Sequence, residues 1–251
     1  MPSDRPGFHL SWFGDEDKLE TTLSPAQVRE SSLCTTIEIG QRRLSTVEHL
    51  LAAIAGCGLT HLKIVVSGQE VPLLDGSALG WIEAIGEAGL KLIENERQRF
   101  IVLDNPLICS RGKSVITATP ADKFSLVGMI DFPHLAIGRQ MFSIDLTPSS
   151  FVKEIAPART FGFLDQVEQL RKVGLIKGAD LDNALVCDGD KWLNPPLRFP
   201  DEPIRHKLLD LIGDLALVGF PKAQILVYRG SHALHTDLAT SLFDVCPDST
   251  F

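Results

Sequence analysis

The chain has 251 residues, 44% of them hydrophobic, so it can bury one large core or two modest ones. A formal net charge of −8 argues against a nucleic-acid partner, because phosphate contacts need a basic surface, and five cysteines without a CxxC pair suggest neither a disulfide framework nor a thiolate zinc cluster. The longest nearly uncharged stretch, Leu50 to Thr60, is well short of the ~20 apolar residues of a spanning helix, and MPSDRPGFHL lacks a signal-peptide core, so a cytoplasmic protein without stable membrane insertion is expected.

In chain order, the first predicted helix lies in STVEHLLAAIAGCG. Ser45 with Glu48 three residues later is the capping-box pattern, and Gly56 and Gly58 mark the C-cap. Glu48 can be a helix cap or a functional carboxylate. His49 sits away from the apolar stripe of Val47, Leu51 and Ile54, beside the small residues Ala52 and Ala53, which permit close approach by another element. HLKIVV reads as a strand, and a helix follows around Trp81 to Ile93. The polar stretch Glu94 to Arg99 then sets an expected boundary between domains 1–95 and 96–251. Beyond it RFIVLD, SVITAT, FSLVGMIDF and AQILVYR read as strands, and FLDQVEQLRK and RHKLLDLIGDLAL as helices, which makes the class α+β.

The last of these helices is unusual. At 100° per residue from His206, the apolar residues Ile204, Leu208, Leu211, Ile212 and Leu215 fall between about 140° and 240°, one core stripe. His206, Asp210 and Asp214 fall at about 0°, 40° and 80°, with Lys207 at about 100° and Gly213 beside them. A solvated helix face is the ordinary explanation of such a ladder, but it usually uses Glu, Lys and Gln, whereas His and Asp are poor helix formers. A His and an Asp one turn apart can bind one metal ion. With His49 they would form a set of two His and one Asp that leaves a position open, as catalytic zinc sites do, with Glu48 as the nearby base.

TVEHLLAAIAG, VPLLDGSA, ARTFGF, KGADLDNALV, LRFPDEPIRHKLLDLIGDLAL and GSHALH, in this order, resemble the successive signatures of the UDP-3-O-acyl-N-acetylglucosamine deacetylase family, LpxC. The resemblance implies a zinc amidase of lipid A biosynthesis that acts on an acylated UDP-amino sugar and works as a monomer. It also implies two domains of similar topology, each a β-sheet packed against two helices, with the active site between them. By resemblance Zn2+ is held by His49, His206 and Asp210, Glu48 is the general base, Thr160 holds the oxyanion, and His232 is a protonated general acid oriented by Asp214. Lys207 and Arg229 match positions that meet the nucleotide sugar and its diphosphate, and Asp131 with Phe132 a pair that reads and stacks the uracil. An insert of about residues 161–186, with Phe161, Phe163, Val167, Ile176 and Leu181, matches the family's acyl-chain-holding element.

Two departures qualify the match. In GSHALH the family usually has Asn where this chain has His235. The family also opens with a strand and a GVGLHSG-like loop that has no counterpart before RPGFHLSWF, so an unpaired sheet edge is expected in the first domain. A catalytically impaired relative that binds an acylated nucleotide sugar or a protein partner is the alternative, and a zinc hydrolase of another amide a third reading. The full set Glu48, His49, His206, Asp210, Asp214 and His232 favours activity, because a binding module has no use for both ligands and base.

Overall fold

The structure, a computed structural model, describes residues 1–14, 20–29, 33–93, 100–172, 180–194 and 196–245, with the side chains of 168–171 outside the description. The expected domain boundary at Glu94 to Arg99 therefore lies outside the described residues.

β1 (Gly7–Trp12) is buried along its whole length. It pairs with β2 (Thr21–Thr22) antiparallel and with β6 (His61–Val66) in parallel, Gly7 opposite His61 through Trp12 opposite Val66. Parallel neighbours need a long crossover. Here it contains a 3₁₀ turn at Pro25–Gln27, the antiparallel strands β3 (Val28–Arg29), β4 (Thr36–Ile39) and β5 (Arg42–Ser45), and helix α1 (Glu48–Gly56). The far edge of β6 is met at one end by the chain start, where Lys63 N–H donates to the Met1 carbonyl at 2.8 Å and Ser3 N–H to that of His61 at 3.4 Å. Part of the edge expected to be open is thus covered. Helix α2 (Leu79–Ala88) stops earlier than the predicted Ile93, at Gly89 with φ +76°.

The second half is built on a six-stranded sheet. Strands β7 (Ile101–Val102), β8 (Leu107–Arg111), β9 (Ser114–Pro120), β10 (Ser125–Asp131), β11 (Arg139–Asp145) and β15 (Pro221–Tyr228) run in the order β11-β10-β15-β9-β8, with β7 on the end of β15. The alternate residues Pro221, Ala223, Ile225 and Val227 of β15 are buried, which gives the sheet one core face. A short α3 (Pro148–Ser150) and a π turn at Phe151–Ile155 lead to the insert. There β12 (Phe161–Phe163), α4 (Leu164–Lys172), β13 (Leu185–Asp188) and β14 (Lys191–Trp192) form a small separate sheet with its helix. Helices α5 (Glu202–Leu215) and α6 (His232–Val245) cover the core face of the large sheet.

α5 decides where the site lies. All its residues except Arg205 and Lys207 are buried, so the solvated-face explanation of its His and Asp ladder fails. One face packs on the sheet, and the other packs on α1. Gly213 makes that second contact possible, since a Cβ there would stand 2.0 Å from the Glu48 carbonyl oxygen.

The capping box expected at Ser45 and Glu48 is not formed. Ser45 belongs to β5, Thr46 turns the chain with φ +61°, and α1 begins at Glu48 without a side-chain cap. The Glu48 carboxylate is turned inward instead. Among the described residues no helix is long and apolar enough to cross a membrane.

Candidate active site

His49 projects from α1, and His206 and Asp210 from one face of α5 a turn apart, and all three are buried. Their ligand atoms lie within 4.8 Å of one another. Nε2 of His206 is 3.3 Å and Nε2 of His49 3.6 Å from Asp210 Oδ1, with the two rings edge to face at 4.9 Å. His206 Nδ1–H donates to the Ala158 carbonyl at 3.0 Å, which leaves the Nε2 lone pair facing the cluster. Burial pushes the His206 pKa down to about 3, so the ring is neutral. Burial opposes ionisation of Asp210 as well, but the Lys207 ammonium at 2.8 Å and His206 hold its carboxyl well below the usual range. The neutral His206 imidazole, the His49 imidazole and one ionised carboxylate, converging inside the protein, are a donor set that fits a borderline dication such as Zn2+.

Beside the cluster stands Glu48, 3% exposed, whose Oε2 accepts the Thr35 N–H at 3.0 Å. Burial raises its pKa, so it binds a proton more readily than an ordinary glutamate. His232, at the start of α6, meets Asp214 Oδ2 through Nδ1 at 2.9 Å. Burial works against the imidazolium, yet Asp214 outweighs it and raises the His232 pKa to about 9. Asp214 is also lowered, to about 2, because the two histidines that it faces offset its desolvation. On its other oxygen Asp214 accepts from the Thr35 hydroxyl, which also lies 3.2 Å from His232 Nδ1. Thr35 thus touches both the carboxylate next to the candidate metal cluster and the His232 pair. His232 opens onto a cavity of about 190 Å³ that Arg29, Thr35, Arg111 and Thr236 also line.

Thr160 is fixed through its backbone, its N–H donating to the Gly76 carbonyl at 2.7 Å and its own carbonyl accepting from Leu185 at 2.8 Å. Lys207 is spent on Asp210. Asp131 is bound by Arg229 at 2.9 Å and by Arg139 at 3.3 Å, so two of the expected nucleotide contacts pair with each other. Phe132, Phe161 and Phe163 form one aromatic cluster, with Phe161 against His206 at 6.4 Å. Leu181 is about half exposed and Val167 half-buried on α4, while Ile176 lies outside the described residues.

Sequence reasoning missed Thr35, Glu202 and Arg159. Glu202 is fully buried at the first turn of α5, where it accepts from Arg159 N–H and Nε at 3.0 and 2.9 Å and from Arg198 N–H at 2.6 Å. It thereby anchors the segment that carries the Ala158 carbonyl and Thr160. Its acidic residue at a helix start was the one available signal.

A buried carboxyl of raised proton affinity, a two-histidine and aspartate cluster, and a charged histidine held by a second aspartate suit hydrolysis of an amide. The comparisons agree with this chemistry. Residues 4–244 match the family UDP-3-O-acyl N-acetylglycosamine deacetylase. The UDP-3-O-acyl-N-acetylglucosamine deacetylase of Synechocystis sp. is 49% identical over 219 residues, 86% of this chain and 79% of that protein. The protein of the same name from Trichormus variabilis is 47% identical over 237 residues, 91% of this chain and 84% of its own length. In Arabidopsis thaliana the probable UDP-3-O-acyl-N-acetylglucosamine deacetylase 1, mitochondrial, is 42% identical over 85% of this chain. With nearly its whole length matched and its buried His, Asp and Glu wall assembled from both ends of that match, the chain belongs to the UDP-3-O-acyl N-acetylglycosamine deacetylase family, LpxC.

Proposed function

We propose that this chain hydrolyses the N-acetyl group of UDP-3-O-(3-hydroxyacyl)-N-acetylglucosamine to acetate and the free amine, a step of lipid A biosynthesis, with Zn2+ held by His49, His206 and Asp210. The observation that carries this reading is the convergence of these three side chains within 4.8 Å beside Glu48. Bound there, the metal would supply Lewis acidity to a water and to the amide carbonyl. Glu48 takes the proton of the attacking water, a task for which its raised proton affinity suits it. Thr160, rigid through its backbone bonds, donates its hydroxyl to the oxyanion that forms at the carbonyl carbon. As the carbon–nitrogen bond breaks, His232 gives its proton to the departing amine, and Asp214 holds the ring in line. Lys207 and Arg229 meet the sugar and diphosphate, Asp131 and Phe132 the uracil. Phe161, Phe163, Val167, Ile176 and Leu181 hold the acyl chain.

The test is metal analysis together with acetate release from the acylated nucleotide sugar. One zinc per chain and acetate release are expected, and His206→Ala loses the metal. Full zinc occupancy in both His206→Ala and His49→Ala would sink the assignment. Glu48→Gln should keep metal and fold while turnover falls on the order of a hundredfold or more. Near-normal turnover would reduce Glu48 to a structural anchor for Thr35.

A further inference from the structure

His235, one turn along α6 from His232, is 1% exposed. Its Nδ1 lies 2.8 Å from Asp214 Oδ2, the same oxygen that meets His232 Nδ1 at 2.9 Å. An ionised carboxylate only accepts, so His235 carries a hydrogen on Nδ1. Its Nε2 is buried and has no partner among the described residues. The ring is wedged against Gly230, where an added Cβ would stand 2.6 Å from Nε2. A second proton would create a buried N–H without an acceptor, so the ring stays neutral, in keeping with a pKa that burial lowers. The carboxylate of Asp214 is thus shared among three donors, His232, His235 and the Thr35 hydroxyl.

We propose that His235 is a positioning residue of this site: as a neutral Nδ1–H donor it fixes the Asp214 carboxylate and draws off part of the charge that would otherwise hold the proton on His232. The proposal rests on the reading of His232 as the proton donor. Charged and titratable groups face His232 from every neighbouring element. They are Asp214 and Asp210 on α5, Glu48 on α1 and His235 on α6, which Lys207 of α5 approaches in turn, with Arg29 of β3 and Arg111 of β8, paired to Glu38 and Asp237, across the cavity. Of these only His235 is both bonded to Asp214 and without charge of its own. Removing it leaves the Asp214 charge to His232 and Thr35, so His232 should bind its proton more tightly. An acid that binds its proton too tightly is a poorer donor.

The test uses the zinc-loaded full chain labelled with ¹⁵N and follows the histidine rings by NMR across pH, in parallel with the pH profile of kcat/KM. In the unmutated protein His235 should show the neutral Nδ1–H tautomer throughout, a signature that does not depend on any variant folding. His235→Leu should raise the His232 pKa by about half a unit or more, roughly threefold in proton affinity. His235→Asn, whose amide N–H can take the same donor position, should return it towards the parent value. A bare Nδ1 on His235, or a His232 pKa that does not move in His235→Leu, overturns the proposal. If the NMR pKa moves while the basic limb of kcat/KM stays, the positioning role stands and His232 is not the proton donor.

Discussion

Glu48 and His232 belong to one wall, and their environments suit them to the opposite tasks proposed for them. Glu48 must be ionised to act as a base and His232 protonated to act as an acid. Activity should therefore rise with pH through a value above the ordinary 4.5 of a glutamate and fall again towards about 9. Asp214→Asn should move the falling limb to lower pH by on the order of a unit or more, since it removes the main support of the imidazolium. The same pair has a stability signature. The folded pKa of His232 exceeds its ordinary 6.5, so its contribution is complete below about 6.5 and is lost as pH rises through about 9, and the depressed pKa of Asp214 gives a contribution lost only as pH falls from 3.8 to about 2. Melting temperature should accordingly drop between pH 6.5 and 9, and Asp214→Asn should flatten that drop; an equal slope in both proteins would remove the pair from the stability of the fold. The ladder of His206, Asp210 and Asp214 was legible because helical spacing is local. Thr35 was not, because its hydroxyl meets a carboxylate 179 residues away and nothing in SLCTTIEIG marks it.

At the scale of elements, the contact of α1 with α5 brings His49 to His206. It depends on Gly213, a residue that in most helices would be a weakness. Replacing a helical glycine by alanine ordinarily stabilises by about 0.8–1 kcal/mol. Here the new Cβ would stand 2.0 Å from the backbone oxygen of Glu48, which cannot rotate away. Gly213→Ala should therefore destabilise by on the order of 1–3 kcal/mol, and α1 should shift enough to weaken zinc binding. Denaturation midpoints and metal content measure the two effects, and a stabilised variant with full zinc would refute the close approach. Periodicity identified both helices before the fold was known, yet the start of α1 was misread. Ser45 and Glu48 have capping-box spacing, but the strand and the Thr46 turn take Ser45 away, and the buried carboxylate serves Thr35. β1 does alternate, Phe8, Leu10 and Trp12 against His9 and Ser11, so the strand itself was legible and was passed over; what the pattern hid is that its polar face is buried as well.

At the scale of the whole molecule, two halves were expected from the polar stretch after α2, but their cores are not separate. Ala52, Ala53 and Ala78 of the first half pack within the cluster built on the large sheet, and Ala216 and Leu217 of the second pack within the cluster under β1 and β6. Backbone bonds cross as well. Ala78 N–H donates to Ala156 at 3.0 Å and Thr160 N–H to Gly76 at 2.7 Å, and Arg198 reaches Asp75 at 2.8 Å. A polar stretch is visible in sequence, whereas contacts between distant segments are not, which is why two halves were expected and the packing of each into the other's core was not. Independent domains would unfold in separate steps, each keeping its own buried apolar surface until its own midpoint. With α1 and α5 packed on each other, loosening either half strips apolar cover from the other, so the chain should unfold in one transition. The tryptophans offer the means to check this, because Trp12 and Trp81 lie in the first half and Trp192 in the insert of the second. Fluorescence of variants that keep Trp12 alone or Trp192 alone, followed in urea beside far-ultraviolet circular dichroism, should give coincident curves with the same midpoint. Distinct midpoints for the two reporters would mean that the halves fold on their own and that the α1–α5 contact is a docking interface between finished domains.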